Sequence, residues 1–138
     1  MKGIQNIDKA MHQGGVSPQV LELVHLPASR INGCGARVFA GVQGARKHGE
    51  TGERLHAVAA WREALFFTDE ERAALELTEA ATRIADRTGK AVLDDVRDAA
   101  ADHFNEEQLS AIILMIAPTN FVNRLNTTIE EPAGATWS

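Results

Sequence analysis

A chain of 138 residues that is 44% hydrophobic and 24% charged holds enough apolar material for a proper core without disulfides or metal, and too much for disorder. Its formal net charge of -5, with Arg and Lys interleaved among Asp and Glu, excludes the concentrated basic face that phosphate binding needs, so no nucleic-acid partner is expected. The single cysteine cannot form an intrachain disulfide, no apolar run reaches the length of a membrane span, and no signal peptide is visible; the expectation is one cytoplasmic domain over 1–138 that does not meet a membrane.

Residues 2–13 place Ile4, Ile7, Ala10 and Met11 at helical spacing, and Gly14-Gly15 stops the run. Ser17-Pro18 is a strong start signal, an N-cap followed by proline at the first helical position. Val20, Leu21, Val24 and Leu26 then form an apolar face, with Glu22 among them and His25 following. Pro27 removes a backbone donor and clashes with the preceding turn, so this helix is expected to end near Leu26 or to kink.

Asn32-Gly33 reads as a break before a helix from Cys34 to His48, closed by Gly49. Its early part is made of small residues, among them Gly35, Ala36, Ala40, Gly41 and Gly44. Glycine costs helix stability, so this element packs tightly against a neighbour or lines a ligand space.

The spacing predicts a helix over 51–63, with Leu55, Val58, Ala59 and Trp61 apolar. Thr68 to Glu71 form a capping box before a helix running to Arg87, which buries Ala74, Leu75, Leu77, Thr78, Ala81 and Ile84. A short helix over 92–103 turns Val96 and Ala99 inward. Asn105 and Gln108 then cap a long last helix through Leu109, Ile112, Ile113, Ile116, Phe121, Val122 and Leu125. It is the most apolar segment and the expected core spine, kinked or divided at Pro118, and Trp137 in the tail is free to dock on a neighbouring surface. No alternating strand pattern appears, so the fold class is all-α, with about six or seven helices.

LELVHLPASRINGC, ARKHGETGERLHAVAAWRE, FFTDEERAALELTEAATRIADR and NFVNRLNTTI, together spanning most of the chain from Leu21 to Ile129, resemble the carboxymuconolactone decarboxylase/AhpD-like family of alkylhydroperoxidase-type proteins. The resemblance implies an AhpD-like helical bundle, a homo-oligomer (trimer or hexamer), peroxidase activity of an antioxidant oxidoreductase kind fed by a thiol reductant, and no cofactor. In redox-active members the motif is Glu, then Cys-x-x-Cys, then His one turn on. Glu22 stands at the Glu position and Cys34 at the first Cys position, but Arg37 occupies the second Cys position and Gly41 the His position. The second thiol is the one the resemblance assigns to peroxide attack, so the dithiol mechanism is disabled here. A non-catalytic oligomeric or small-ligand-binding scaffold, or a cofactor-free decarboxylase, are the other readings.

Cys34, at a helix start with Arg37 one turn on, is read either as a reactive thiol or as a small buried core residue. Glu22 is read as a proton shuttle, or as a buried carboxylate satisfied by Arg37 or His25, an ion pair with Arg37 being expected. His12, His25, His48, His56 and His103 fall at no metal-ligand spacing; they are expected at the surface or at caps, and no metal is predicted. Asn120, with Asn123, Arg124 and Asn126, lines the pocket near Cys34 or ties helices together, and Trp61 and Arg62 read as packing and an interface ion pair.

Overall fold

The computed structural model describes residues 2–135, so the expectation for Trp137 lies outside the described residues. Among these residues are seven α-helices and no strand: α1 (Lys2–His12), α2 (Pro18–Ile31), α3 (Gly35–Lys47), α4 (Gly52–Ala57), α5 (Asp69–Thr82), α6 (Asp94–His103) and α7 (Glu106–Thr128). Tight 3-10 turns follow α4 over Val58–Glu63 and α5 over Arg83–Asp86. None of these helices is long and apolar enough to cross a membrane.

The start signals act as the sequence predicts. The Ser17 hydroxyl accepts from the Val20 N–H at 3.3 Å with Pro18 behind it, and Thr68–Glu71 and Asn105–Gln108 both form complete capping boxes. Each satisfies backbone donors that a helix leaves without partners. The expected helix over 51–63 is instead short: Ala60 (φ -125, ψ 39) leaves helical geometry, and the chain finishes as a 3-10 turn that carries Trp61 into the core.

The spine of the molecule is α2, not α7. From Leu23 to Ser29 every residue of α2 is buried, and a helix enclosed on all sides must be packed on all sides. One apolar cluster, with Val20, Leu21 and Val24, joins α2 to α1, α5, α6 and α7. A second, with Leu23 and Leu26, joins it to Ala45, Leu55, Val58, Trp61, Phe67 and Leu75. Burying each leucine contributes about 1.5–3 kcal/mol. Together they outweigh the roughly 3 kcal/mol that a proline costs inside a helix, which is why α2 runs through Pro27 to Ile31 rather than ending at Leu26.

α7 likewise runs through Pro118, but it buries only one stripe, including Ile112 and Ile116. Ile113, Phe121 and Leu125 expected in the core are exposed on its outer face, as is Ile84 beyond the end of α5. The periodicity of so apolar a helix does not say which of its faces is inward.

Two ion-pair clusters tie the periphery. Arg54 bridges Glu50 and Glu71 while lying 4.9 Å over the Phe67 ring, and Arg62 stacks 4.2 Å over Trp61 and pairs with Glu79 at 2.6 Å. The Trp61 indole also donates to Glu79 at 2.9 Å. The Arg62 ion pair is thus within the chain, between the 3-10 turn and α5.

α2 and α3 form an antiparallel hairpin closed by Asn32-Gly33. Gly33 takes φ +65, a conformation a side chain would strain, and the chain turns there tightly enough for the Cys34 N–H to donate to the Ser29 carbonyl at 2.9 Å. That hairpin carries the site.

Candidate functional site

Along the hairpin the residues of α2 and α3 meet in a fixed register. Glu22 lies opposite Gly44, and His25 opposite Gly41. A Cβ placed on Gly44 would fall 2.7 Å from Glu22 Oε2, and one placed on Gly41 only 2.4 Å from His25 Nδ1. The glycines of α3 are therefore spaced to receive the polar side chains of α2. Gly41-x-x-Gly44 answers Glu22-x-x-His25, each pair one helical turn apart and on one face.

These residues form one wall of a cavity of about 440 Å³. Arg37 joins them from the first turn of α3; α1 contributes Ile4, Ile7, Met11, Asp8 and His12, and α7 contributes Met115, Pro118, Thr119 and Val122. The volume lies in the ordinary range for small-molecule sites. Pro118 lies in the cavity wall, where its ring leaves the Leu114 carbonyl without its usual helical donor.

The electrostatics of the wall are set by burial. Burial pushes the Glu22 carboxyl above its ordinary value, against the lowering pull of His48, Arg37 and His12, while Asp8 adds to the rise. Burial pulls the Arg37 guanidinium down, opposed by Cys34 and Glu22; an arginine remains charged in any protein setting. Burial, with the Arg37 charge second, pushes His25 down to about 3, so its ring is neutral. The expected Glu22–Arg37 ion pair does not form: the two sense each other's charge, but Arg37 Nε is buried with no hydrogen-bond partner.

His25 was expected near the surface or at a cap. It is instead 2% exposed, and neither ring nitrogen has a partner.

Cys34 stands apart from this wall. It is the N-cap residue of α3, makes no side-chain cap bond, and is 2% exposed. The cavity it borders is a different and smaller one, about 180 Å³, shared with Asn126, Thr127, Glu130 and Glu131. Of the candidates named from sequence, Glu22, His25, Arg37 and Gly41 line one cavity, while Cys34 borders the other, near enough to act on the Arg37 charge.

Asn120 borders neither of these two cavities. Its amide accepts from Asn32 at 2.8 Å and donates to Thr82 at 3.3 Å, tying the α2 end and α5 to α7. Asn123 is buried and accepts from the Ser29 hydroxyl at 3.3 Å. Asp8, His12 and the α7 residues of the cavity escaped the sequence reading as site residues, and Gly44 entered it only within the small-residue run of α3. Only Gly44 left a signal, its spacing from Gly41 matching that of Glu22 from His25. Among the described residues no group of His, Cys, Asp or Glu is placed to hold a metal ion.

The seven-helix all-α architecture matches the AhpD-like helical fold. The chain belongs to the carboxymuconolactone decarboxylase family, whose model matches residues 1–80. It is similar to the uncharacterized protein YdfG of Bacillus subtilis (strain 168), 33% identical over 135 residues that cover 98% of this chain and 90% of that one. Similarity to the uncharacterized protein YnjA of Escherichia coli (strain K12) is 38% over 81 residues, 59% of this chain and 42% of that one.

Among solved structures, a protein of unknown function from Agrobacterium tumefaciens, described as a candidate antioxidant defence protein AhpD, superposes with a TM-score of 0.87 at 27% identity, covering 98% of this chain and 90% of that one. The debrominase Bmp8 shares the fold at a TM-score of 0.79 and 22% identity, over 94% of this chain and 68% of that one.

Proposed function

We propose that this family member does not run dithiol peroxide reduction, and that its cavity at Glu22, His25 and Arg37 binds a small organic acid without using sulfur. The observation that carries this reading is Arg37. It stands where the resemblance places the peroxide-attacking thiol, and it brings a half-buried guanidinium with an unpartnered Nε to the cavity wall. Glu22 acts on this guanidinium through its charge but forms no ion pair with it, so a ligand carboxylate meeting it gains a charge-assisted hydrogen bond. Apolar side chains at Ile4, Ile7, Met115 and Val122 suit the ligand's carbon skeleton.

Thermal denaturation with 3-phenylpropanoate and with 3-phenylpropanamide tests it. The acid raises the Tm of the protein and the amide does not, and Arg37→Met loses the difference; equal effects of acid and amide would overturn the reading. Binding alone is a scaffold's function. A cofactor-free lyase is the catalytic form of the same reading, favoured by Glu22, a carboxyl that burial raises above its ordinary value and that lines the same cavity as Arg37.

The reading also holds that the protein self-associates. Ile113, Phe121 and Leu125 form an exposed apolar stripe along α7, with Ile129 beyond its end. Exposed apolar surface of that kind marks interaction surfaces. Light scattering is expected to give a mass three or six times 14.9 kDa, and a monomer at micromolar concentration would contradict the assembly.

A further inference from the structure

The cation does not exhaust the chemistry of this cavity. His25 lines it, is 2% exposed, and has two ring nitrogens without partners. Buried polar groups are nearly always hydrogen-bonded, so an orphaned pair of nitrogens calls for a partner that arrives from outside. A neutral imidazole offers one donor and one acceptor. Burial keeps this ring uncharged across the neutral range.

The facing helix is shaped around the ring. A Cβ at Gly41 would meet Nδ1 at 2.4 Å, Cε1 at 2.8 Å and Leu26 Cδ2 at 2.9 Å, contacts that no real Cβ makes. A side chain at position 41 and the His25 ring therefore compete for one space. Glycine at 41 weakens α3, and the space it leaves is filled by His25 from α2. Two side chains that carry buried, unpartnered nitrogens, His25 and Arg37, thus line one cavity from two helices.

We propose that His25 is the specificity-determining residue of this cavity, hydrogen-bonding an uncharged oxygen, hydroxyl or carbonyl, on an organic acid whose carboxylate meets Arg37. This rests on the carboxylate reading above and narrows its ligand class to hydroxy or oxo acids. Arg37 supplies attraction to the charge, and His25 distinguishes acids that carry the second oxygen from those that do not.

Calorimetric titration of the full chain with 3-phenyllactate, 3-phenylpropanoate and 3-phenylpropanol tests it, since the three share a skeleton. Wild-type protein is expected to bind 3-phenyllactate about three- to tenfold more tightly than 3-phenylpropanoate, the worth of one buried neutral hydrogen bond. His25→Gln, which retains a donor and an acceptor, keeps a preference for 3-phenyllactate over 3-phenylpropanoate, whereas His25→Leu binds the two acids alike. Should His25→Leu fail to fold, the wild-type ¹⁵N imidazole spectrum gives the same answer: the His25 resonances move with 3-phenyllactate and stay with 3-phenylpropanoate.

Equal affinity for the two acids, or a preference surviving in His25→Leu, overturns the His25 assignment and leaves the Arg37 reading standing. Binding of 3-phenylpropanol as tightly as the acids overturns the Arg37 reading and this one with it, as does binding of none of the three.

Discussion

Replacing Gly41 by Ala sets two effects of opposite sign against each other, and the structure says which wins. In an open helix the change is worth about 1 kcal/mol of added stability, because alanine restricts the unfolded backbone and glycine does not. Here the new methyl lies 2.4 Å from His25 Nδ1, 2.8 Å from Cε1 and 2.9 Å from Leu26 Cδ2. The ring is 2% exposed and Leu26 0%, so room for the methyl comes only from displacing packed side chains. Forcing a methylene into a packed interior costs about 1–3 kcal/mol, and Gly41→Ala is expected to destabilise the protein by up to about 2 kcal/mol once the helix gain is subtracted. In a His25→Ala background the main obstruction is gone, and the same change should stabilise by roughly 0.5–1 kcal/mol. Urea unfolding of the wild type, both single variants and the double variant gives the coupling directly, expected at about 1–3 kcal/mol. If Gly41→Ala stabilises the wild type as much as it stabilises His25→Ala, the ring does not occupy the space argued for it.

Two further outcomes follow from the same wall, and a third from the smaller cavity beside it. His25, at about 3 in the fold against 6.5 unfolded, binds fewer protons folded than unfolded between these values; it contributes stability present above pH 6.5 and lost as pH falls toward 3, on the order of 5 kcal/mol over the whole window. Urea midpoints from pH 4 to 7 should therefore fall more steeply for the wild type than for His25→Gln, and identical slopes would show that the ring is not held neutral. Glu22 runs the other way: its carboxyl, raised by burial and faced by Asp8 and His12 of α1, Arg37 of α3 and His48 just beyond it, stabilises the fold when protonated and loses that contribution as pH rises from 4.5 through its folded value. Glu22→Gln is then expected to raise the Tm at pH 8 and leave it unchanged at pH 4, whereas a lower Tm at both would mean an ionised, paired carboxylate. Cys34, 2% exposed, should react with an aromatic disulfide reagent only slowly in the native protein and at once in urea, and rapid native labelling would contradict its burial.

Much of the fold was legible because local signals carried it. Ser17-Pro18, the Thr68–Glu71 box and the Asn105–Gln108 box mark helix starts by hydrogen bonds confined to a few residues, and those starts stand where they point. What sequence could not weigh was tertiary burial. Pro27 reads as a stop because local cost is all that a sequence displays, yet the core around Leu23 and Leu26 holds the helix past it. α7 reads as the spine because it is rich in isoleucine and leucine, yet the enclosed helix is α2, which carries Glu22, His25 and Ser29 in its length.

The site divides the same way. Motif spacing placed Glu22, Arg37 and Gly41 together, and the small residues of α3 pointed to close packing or a ligand space. It also suggested that Cys34 belongs with them, since the N-cap position and the first helical turn are neighbours in sequence. Cys34, however, is the N-cap residue with extended backbone (φ -85, ψ 91), so its side chain is out of register with the helical face of α3, and Arg37 lines the large cavity while Cys34 borders the small one. His25 was misplaced because a histidine between valine and leucine carries no mark of burial. The mark lies on the facing helix, in the glycine that makes room for it.

The claim at the centre of this account is that the sulfur is not the working group of the site. Peroxide consumption with excess dithiol reductant, compared between the wild type and Cys34→Ser, tests it most directly. The same background rate is expected for both, with Arg37→Cys the variant in which turnover emerges. Consumption by the wild type that disappears in Cys34→Ser would contradict it and return the protein to single-thiol peroxide chemistry.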